Sequence, residues 1–169
     1  FHNIVSEDAL NIVRSTFKIN GSSFYDNLND ALDVDYCNGE IKNSFFTNSG
    51  NDAIDLSGSN INLSEIDIFS SGDKGISIGE STYFRGKNIK IVDSKFGIAS
   101  KDLSDVKIDN IEIKNSKIGL AAFQKKSEFG PSLINISNGV LYKCEVDYIV
   151  ENNSTVIFNN EELDQLWDV

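Results

Sequence analysis

The sequence predicts an all-β fold: a single right-handed parallel β-helix, or solenoid, of about six or seven coils with a 22-residue period. Three observations predict it. A residue triplet recurs every 22 residues, a strand-like apolar pattern follows each copy, and the composition favours short strands joined by tight turns. The chain has 169 residues, one proline and no methionine, and Asn, Ser, Asp, Gly and Ile are abundant. Such a mixture of β-branched residues and turn formers is typical of many short strands.

The repeat is a triplet whose third residue is always apolar. The six copies are Asp8-Ala9-Leu10, Asp30-Ala31-Leu32, Asp52-Ala53-Ile54, Lys74-Gly75-Ile76, Phe96-Gly97-Ile98 and Ile118-Gly119-Leu120. Apolar residues alternate with small or polar ones after each start, as in a strand with one buried face. Pairs such as Ile66/Ile68 and Ile61/Leu63 predict a second and a third strand per coil. A coil of this kind buries its apolar side only by stacking on its neighbours.

The sequence also predicts the structure at the two ends of the solenoid. The spacing breaks after Ile118, and an insertion loop at 124–131 would realign Leu120 with Val150. The tail 160–169 is predicted to be a short capping helix with Asn160 as its N-cap, with Leu163, Leu166 and Trp167 plugging the core. The start shows no comparable cap. We therefore expect one β-helix domain over 1–169 that forms the C-terminal part of a longer protein, with further coils or a domain upstream.

Charge and hydropathy exclude several classes of function. The formal net charge is -11, and residues 1–73 carry 3 basic and 12 acidic side chains. Nucleic acids and anionic membrane surfaces both require a basic patch, so neither is expected as a partner. No stretch approaches the ~20 apolar residues that span a bilayer, so membrane insertion is not expected. Cys37 and Cys144 lie about four coils apart, too far for a disulfide.

The period and the stacked isoleucines resemble those of the pectate lyase-like superfamily of right-handed parallel β-helices, which includes polysaccharide lyases, polygalacturonase-type hydrolases, phage tailspikes and bacterial adhesins. The resemblance covers residues 8–160 and rests on no catalytic signature. It implies a substrate groove along the stacked strands, a polysaccharide or other glycan as partner, and a secreted or cell-surface location. Fold alone does not establish an activity.

The outward columns of the first strand give a candidate metal site. Stacking places Asp33 and Asp55 one coil apart, about 4.8 Å, in one column, with Asp35 beside them. Neighbouring carboxylates repel, so the pair either takes up a proton or recruits a cation, and Ca²⁺ prefers such oxygen ligands. The alternative is a solvated acidic edge. No cofactor is required by the fold, and calcium is the one metal that the pattern suggests.

A second candidate site follows the first strand of three successive coils. Glu80 with Asp102 is a candidate acid/base pair, and Lys101 a candidate base or donor. The candidate ligand-binding residues are Asp55, Ser77, Lys74, Lys125, Lys126 and Glu128. The alternative is a set of surface ion pairs, Glu80 with Lys101 and Asp102 with Lys125 or Lys126, which would contribute little to stability.

The sequence lacks the residues that nucleophilic catalysis, zinc binding and nucleotide binding require. His2 is the only histidine, so Ser-His-Asp and Cys-His schemes have no base, and no zinc, P-loop or dinucleotide motif is present. Three hypotheses remain. The first is an extracellular binding or interaction module for a polysaccharide. The second is a polysaccharide lyase or glycoside hydrolase, so whether the chain is an enzyme stays open. The third is a structural or adhesin solenoid of a bacterial surface protein.

Overall fold

The computed structural model describes residues 1–166, which form fifteen strands and no helix. The strands are β1 (Asp8–Val13), β2 (Thr16–Asn20), β3 (Ser23–Asn27), β4 (Asp30–Asp35), β5 (Asn38–Ser49), β6 (Ile54–Ser57), β7 (Asn60–Gly79), β8 (Tyr83–Lys101), β9 (Asp105–Lys114), β10 (Ile118–Phe123), β11 (Leu133–Ile136), β12 (Gly139–Tyr142), β13 (Val146–Val150), β14 (Thr155–Phe158) and β15 (Glu161–Glu162). The long strands bend around corners of the solenoid, so several carry two or three sides of a coil.

Parallel pairing stacks the coils into a three-sided prism. The first sheet contains β1, β4, β6, the ends of β7 and β8, β10 and β13. The second sheet runs from β2 through the first parts of β5, β7, β8 and β9 to β11 and β14. The third sheet runs from β3 through the later parts of β5, β7, β8 and β9 to β12. Leu10 pairs with Leu32, and Leu32 with Ile54, which confirms the predicted 22-residue period and a solenoid of about seven turns.

The core is a set of apolar columns inside the prism. The column Leu32, Ile54, Ile76, Ile98 and Leu120 is fully buried in each coil. Phe24 and Phe46 extend the packing at the N-terminal end, where their rings stack with centroids 4.7 Å apart. Each coil thus buries its apolar side against the coils before and after it, as expected for a repeat protein.

Each corner of the prism contains a residue with left-handed backbone geometry. At the corner after the first strand these residues are Arg14, Tyr36, Gly58, Glu80 and Asp102, with φ between 47° and 59°. At the other two corners they include Asn43, Asn88 and Asn110, and Asp26, Asn48 and Asn115. Asn and Asp tolerate this conformation better than other residues with a side chain. The bends therefore explain much of the Asn and Asp content.

A ladder of buried side chains ties the coils together beside the first corner. The N–H of Cys37 donates to Ser59 Oγ at 2.9 Å, the N–H of Ser59 to Thr82 Oγ1 at 3.1 Å, and the N–H of Thr82 to Ser104 Oγ at 3.2 Å. Cys37 Sγ in turn accepts from the N–H of Ser15 at 3.2 Å. These N–H groups point away from the regular strand pairing, so the hydroxyls supply acceptors that buried donors require.

The register after the insertion differs from the prediction. Leu120 pairs with Tyr148, and Val150 pairs with Ala122, so the predicted pairing of Leu120 with Val150 is wrong by two residues. The insertion adds six residues to one 22-residue coil, because Ile118 pairs with Val146. The connection runs from the end of β10 to the start of β11, over residues 124–132. Apolar periodicity alone did not distinguish two registers that both place apolar residues inward.

The predicted capping helix is absent from the described part of the tail. Asn159 and Asn160 both have left-handed φ, 53° and 69°, and β15 turns back antiparallel on β14. Two consecutive left-handed residues form the tight turn that hairpins favour, and asparagine suits both positions. Leu163 packs against the core as expected, whereas Leu166 is 54% exposed. Trp167 lies outside the described residues.

Both cysteines are free thiols, with Cys37 buried and Cys144 half-buried. Within residues 1–166 no helix is long and apolar enough to cross a membrane.

Candidate functional site

The outward side of the first sheet carries the polar residues that the sequence singled out. We call this surface the axial face. Its central column is Asn11, Asp33, Asp55, Ser77, Ala99 and Ala121, and its flanking column is Val13, Asp35, Ser57, Gly79, Lys101 and Phe123. Register places equivalent residues one strand spacing apart, about 4.8 Å. The axial face therefore brings together Asp33, Asp35, Asp55, Ser77 and Lys101.

Accessibility divides the axial face into an open and a closed part. Asn11 is exposed, and Asp33, Asp35 and Asp55 are half-buried. Ser77, Ala99 and Ala121 are fully buried although they continue the same outward column, and Lys101 is only 8% exposed. A ligand can thus reach the solvent-facing oxygens of Asp33, Asp35 and Asp55. From Ser77 onward the outward side chains of the central column are buried.

Asp33 is the most perturbed carboxyl group of the open part. Partial burial, followed by the charges of Asp35, Asp8 and Asp55, raises its pKa from 3.8 to about 7. The Asn11 side-chain amide donates to Asp33 Oδ2 at 2.6 Å. Burial and the neighbouring carboxylates also raise the pKa of Asp35. Both effects disfavour the ionised form, so this surface holds protons more tightly than isolated carboxylates do.

Asp55, Ser77 and Lys101 form a mixed polar cluster where the open part ends. Lys101 Nζ donates to Ser77 Oγ at 2.7 Å, and Lys101 forms no ion pair among residues 1–166. Burial lowers the pKa of the Lys101 ammonium. One carboxylate oxygen of Asp55, Oδ1, is buried and has no hydrogen-bond donor within the described chain. An ammonium with spare donors and a carboxylate with an enclosed, unpaired oxygen thus lie where the open part of the axial face ends.

Lys74 lies on the other border of the axial face and is occupied by carboxylates. Its ammonium contacts Asp73 and lies 3.4 Å from Asp52 Oδ1, and its backbone N–H donates to that same oxygen at 2.9 Å. Asp52 is buried, which raises its pKa to about 6 despite the charge of Lys74. A ligand that binds Lys74, as predicted, would therefore have to compete with Asp52 and Asp73 for its ammonium.

Glu80 pairs with a different lysine from the one proposed in the ion-pair interpretation. Lys126 Nζ donates to Glu80 Oε1, and Tyr36 Oη donates to Glu80 Oε2 at 3.1 Å. The hydrogen bond from Lys126 is the main cause that lowers the Glu80 pKa. The predicted Glu80–Lys101 pair is wrong. Lys101 extends toward Ser77 on the axial face instead, whereas Glu80 lies at the corner.

Asp102 holds the insertion loop through backbone groups. Its Oδ1 accepts from the N–H groups of Lys125 and Lys126, both at 2.7 Å, and the residue is 1% exposed. The predicted pairing of Asp102 with a lysine ammonium is therefore wrong, because consecutive amide donors of the loop occupy the carboxylate. In this arrangement Asp102 anchors the loop and does not lie on the open part of the axial face. Lys125 and Glu128 are exposed on the loop.

The arrangement of carboxylates offers no preformed metal centre. Within residues 1–166 no group of three or more carboxylate, histidine or cysteine side chains could hold a metal ion. Calcium binding by Asp33, Asp35 and Asp55 stays a prediction, and closer approach of the three carboxylates would be needed to supply the ligands.

Sequence reasoning missed the role of Tyr36. Its ring lies across Gly58, where a Cβ would come within 2.5 Å of the ring, and its hydroxyl reaches Glu80 two coils away. The Arg14 guanidinium lies 5.8 Å from the ring centroid. The signal was present in the column Tyr36, Gly58, Glu80, because a glycine between two large residues leaves room for one side chain to cross a coil.

The comparisons with known proteins agree with this geometry. A family model described as "Right handed beta helix region" matches residues 5–165. No curated protein and no solved structure shows a significant match to the chain. Because the match spans nearly the whole chain and the strands stack as parallel coils, the chain belongs to the right-handed β-helix family, with a pectate lyase-like fold.

Proposed function

We propose that this chain is a polysaccharide-binding module of a secreted or cell-surface protein, and that the glycan lies along the axial face parallel to the solenoid axis. The open part offers side-chain acceptors at intervals of about 4.8 Å, close to the length of one sugar unit. Carboxylates accept hydrogen bonds from sugar hydroxyls without prior rearrangement, because they lie on strands of a rigid sheet.

The observation that carries the proposal is the row of half-buried carboxylates Asp33, Asp35 and Asp55 on the open part of the axial face. Asp55 is the last of these carboxylates, because it pairs with the fully buried Ser77 of the next coil. Sugar hydroxyl groups can donate to the carboxylate oxygens that face solvent.

The test is a binding measurement on the folded chain with a panel of soluble polysaccharides. Asp55→Asn is expected to weaken binding at least tenfold, because the amide nitrogen replaces one acceptor. Asp67→Asn is the matched control, since Asp67 is exposed on the third sheet of the same coil region. Equal affinity of the two variants for a polysaccharide that the wild type binds, or no binding of any polysaccharide by the wild type, refutes the proposal.

A hydrolytic function is a second candidate, favoured by the pair Asp33 and Asp55. They occupy adjacent coils in register, and the Asp33 pKa is raised to about 7 by burial and neighbouring charge. A carboxyl group protonated near neutrality beside a second carboxylate is the arrangement that glycoside hydrolases use. Release of reducing ends from a bound polysaccharide, abolished in Asp33→Asn, would support this function. Undiminished release by that variant would exclude Asp33 as the acid.

A further inference from the structure

We propose that the outward side of the third sheet is a self-association surface, through which two copies of this chain pack face to face with their solenoid axes antiparallel. We call this surface the aromatic face. Its two outward columns are Ser23, Phe45, Asp67, Lys90, Glu112 and Val140, and Tyr25, Thr47, Phe69, Val92, Lys114 and Tyr142. This surface is separate from the axial face, and its association does not depend on glycan binding.

The aromatic face exposes large apolar side chains in both columns. Tyr25, Phe45, Val140 and Tyr142 are between 37% and 53% exposed. Phe69 is half-buried beside Phe45, and their ring centroids lie 5.4 Å apart. The outward columns of the second sheet carry one exposed side chain of this kind within residues 1–166, namely Tyr83. Apolar side chains grouped on one face of a protein mark an interaction surface.

Charges of opposite sign alternate along the middle of the same face. Asp67, Lys90 and Glu112 occupy adjacent coils of one column. Neither Asp67 nor Lys90 forms an ion pair within residues 1–166. The Lys90 ammonium lies 5.5 Å from the Phe69 ring centroid instead. Two opposite charges therefore stand beside the apolar side chains without being paired inside the chain.

This order of side chains is complementary to itself. A two-fold axis that runs along the strands, between the coils of Asp67 and Lys90, reverses the order of the coils and keeps each column over itself. It places Asp67 of one copy opposite Lys90 of the other, and Phe69 opposite Val92, each of them twice. Tyr25 then faces Tyr142 at both ends of the interface. All six coils of the aromatic face overlap in this arrangement.

The net charge of the chain does not oppose this contact locally. The chain carries a formal charge of -11, but the two columns of the aromatic face contain two acidic and two basic residues, Asp67, Glu112, Lys90 and Lys114. The carboxylates of the axial face lie on another sheet. Because matched charges favour the correct partner and like charges penalise others, the alternating column fits a second copy better than a partner of one sign.

The size of the face predicts a weak dimer. Six coils and five residues per strand give a surface of about 29 Å by about 16 Å, so two copies together would bury about 900 Å² as flat area. Stable interfaces bury at least ~1,200 Å², so we expect a dissociation constant on the order of 100 µM. Both axial faces stay free in the dimer, and one long polymer that contacts both would bind more tightly than it binds one copy.

The experiment is sedimentation equilibrium of the whole chain at 5–500 µM in 0.15 M NaCl. We expect a monomer–dimer equilibrium for the wild type and at least tenfold weaker association for Lys90→Asp. Lys107→Asp is the matched control, because it makes the same charge change at an exposed residue of the second sheet, and its association should stay within twofold of the wild type. The double variant Asp67→Lys with Lys90→Asp restores opposite charges across the interface and should recover to within threefold.

A wild type that stays monomeric at 500 µM overturns the proposal, and so does equal weakening by Lys90→Asp and Lys107→Asp. A double variant that keeps its circular dichroism spectrum but does not recover association also overturns it. If Lys90→Asp does not fold, Lys90→Gln replaces it, with an expected weakening of at least threefold, and unchanged association is then the contrary result. Glycan binding and unfolding are measured at low micromolar concentration, where the chain is monomeric, so Asp67→Asn remains a valid control there.

Discussion

Replacing Asp33 by asparagine is expected to stabilise the protein at pH 8 and to leave its stability unchanged at pH 4. Burial and the charges of Asp35, Asp8 and Asp55 raise the Asp33 pKa from 3.8 to about 7 in the folded chain. The folded state therefore binds this proton more tightly than the unfolded state does. The resulting stability is fully present below pH 3.8 and is lost as the pH rises through 7.

The magnitude follows from the pKa values. A rise from 3.8 to about 7 corresponds to about 4 kcal/mol at ~1.4 kcal/mol per tenfold change in proton affinity. Asp33 is only half-buried, so solvent screening reduces the effect to roughly 1–2 kcal/mol. Asparagine keeps an oxygen that accepts the amide of Asn11, so the substitution removes charge and conserves the hydrogen bond.

The assay is urea unfolding of the wild type and Asp33→Asn at pH 4 and pH 8, with Asp67→Asn as the control on another sheet. For a domain of this size about 1–2 kcal/mol also corresponds to a rise of roughly 2–8 °C in the melting temperature. A variant that is less stable than the wild type at pH 8, or that gains equally at both pH values, would contradict the electrostatic explanation.

Further predictions concern the ladder, the loop and the metal. Thr82→Val leaves the buried N–H of Ser59 without an acceptor and should lower the free energy of unfolding by about 2–3 kcal/mol, whereas Thr82→Ser loses one methyl group and should cost about 1 kcal/mol. Cys37→Ser keeps an acceptor for the N–H of Ser15, so its unfolding free energy should change by less than about 1 kcal/mol, and a larger loss would show that sulfur packing matters more than the hydrogen bond. Asp102→Ala releases the amides of the insertion loop; limited proteolysis within 124–132 should accelerate, and Asp102→Asn should restore resistance because its side-chain oxygen still accepts. If calcium binds Asp33 and its neighbours, millimolar calcium must raise the melting temperature by mass action, and an unchanged value would exclude that site.

The candidate site was only partly predictable. Columns of the axial face follow from the period, so the juxtaposition of Asp33 and Asp55 could be predicted by counting residues. The partners of long side chains could not be predicted in this way. Glu80 accepts a hydrogen bond from Lys126, 46 residues away in the chain, and Lys101 donates to Ser77. Long, flexible side chains can contact any of several neighbours in adjacent columns, and residue spacing places these neighbours at similar distances.

Residue spacing along the chain specifies the solenoid, because a repeat protein is built from contacts between neighbouring units. Its 22-residue period, the apolar columns and the acidic character of the first coils all follow from that spacing. Packing between distant segments sets the structure of the C-terminal end and the exposure of individual side chains. The pair Asn159-Asn160 folded the tail into a hairpin instead of the predicted helix, since pairing with β14 outweighs a local helical preference. Packing also buried Ser77 and left Asp55 Oδ1 without a donor, and these features depend on side-chain conformations that spacing along the chain does not specify.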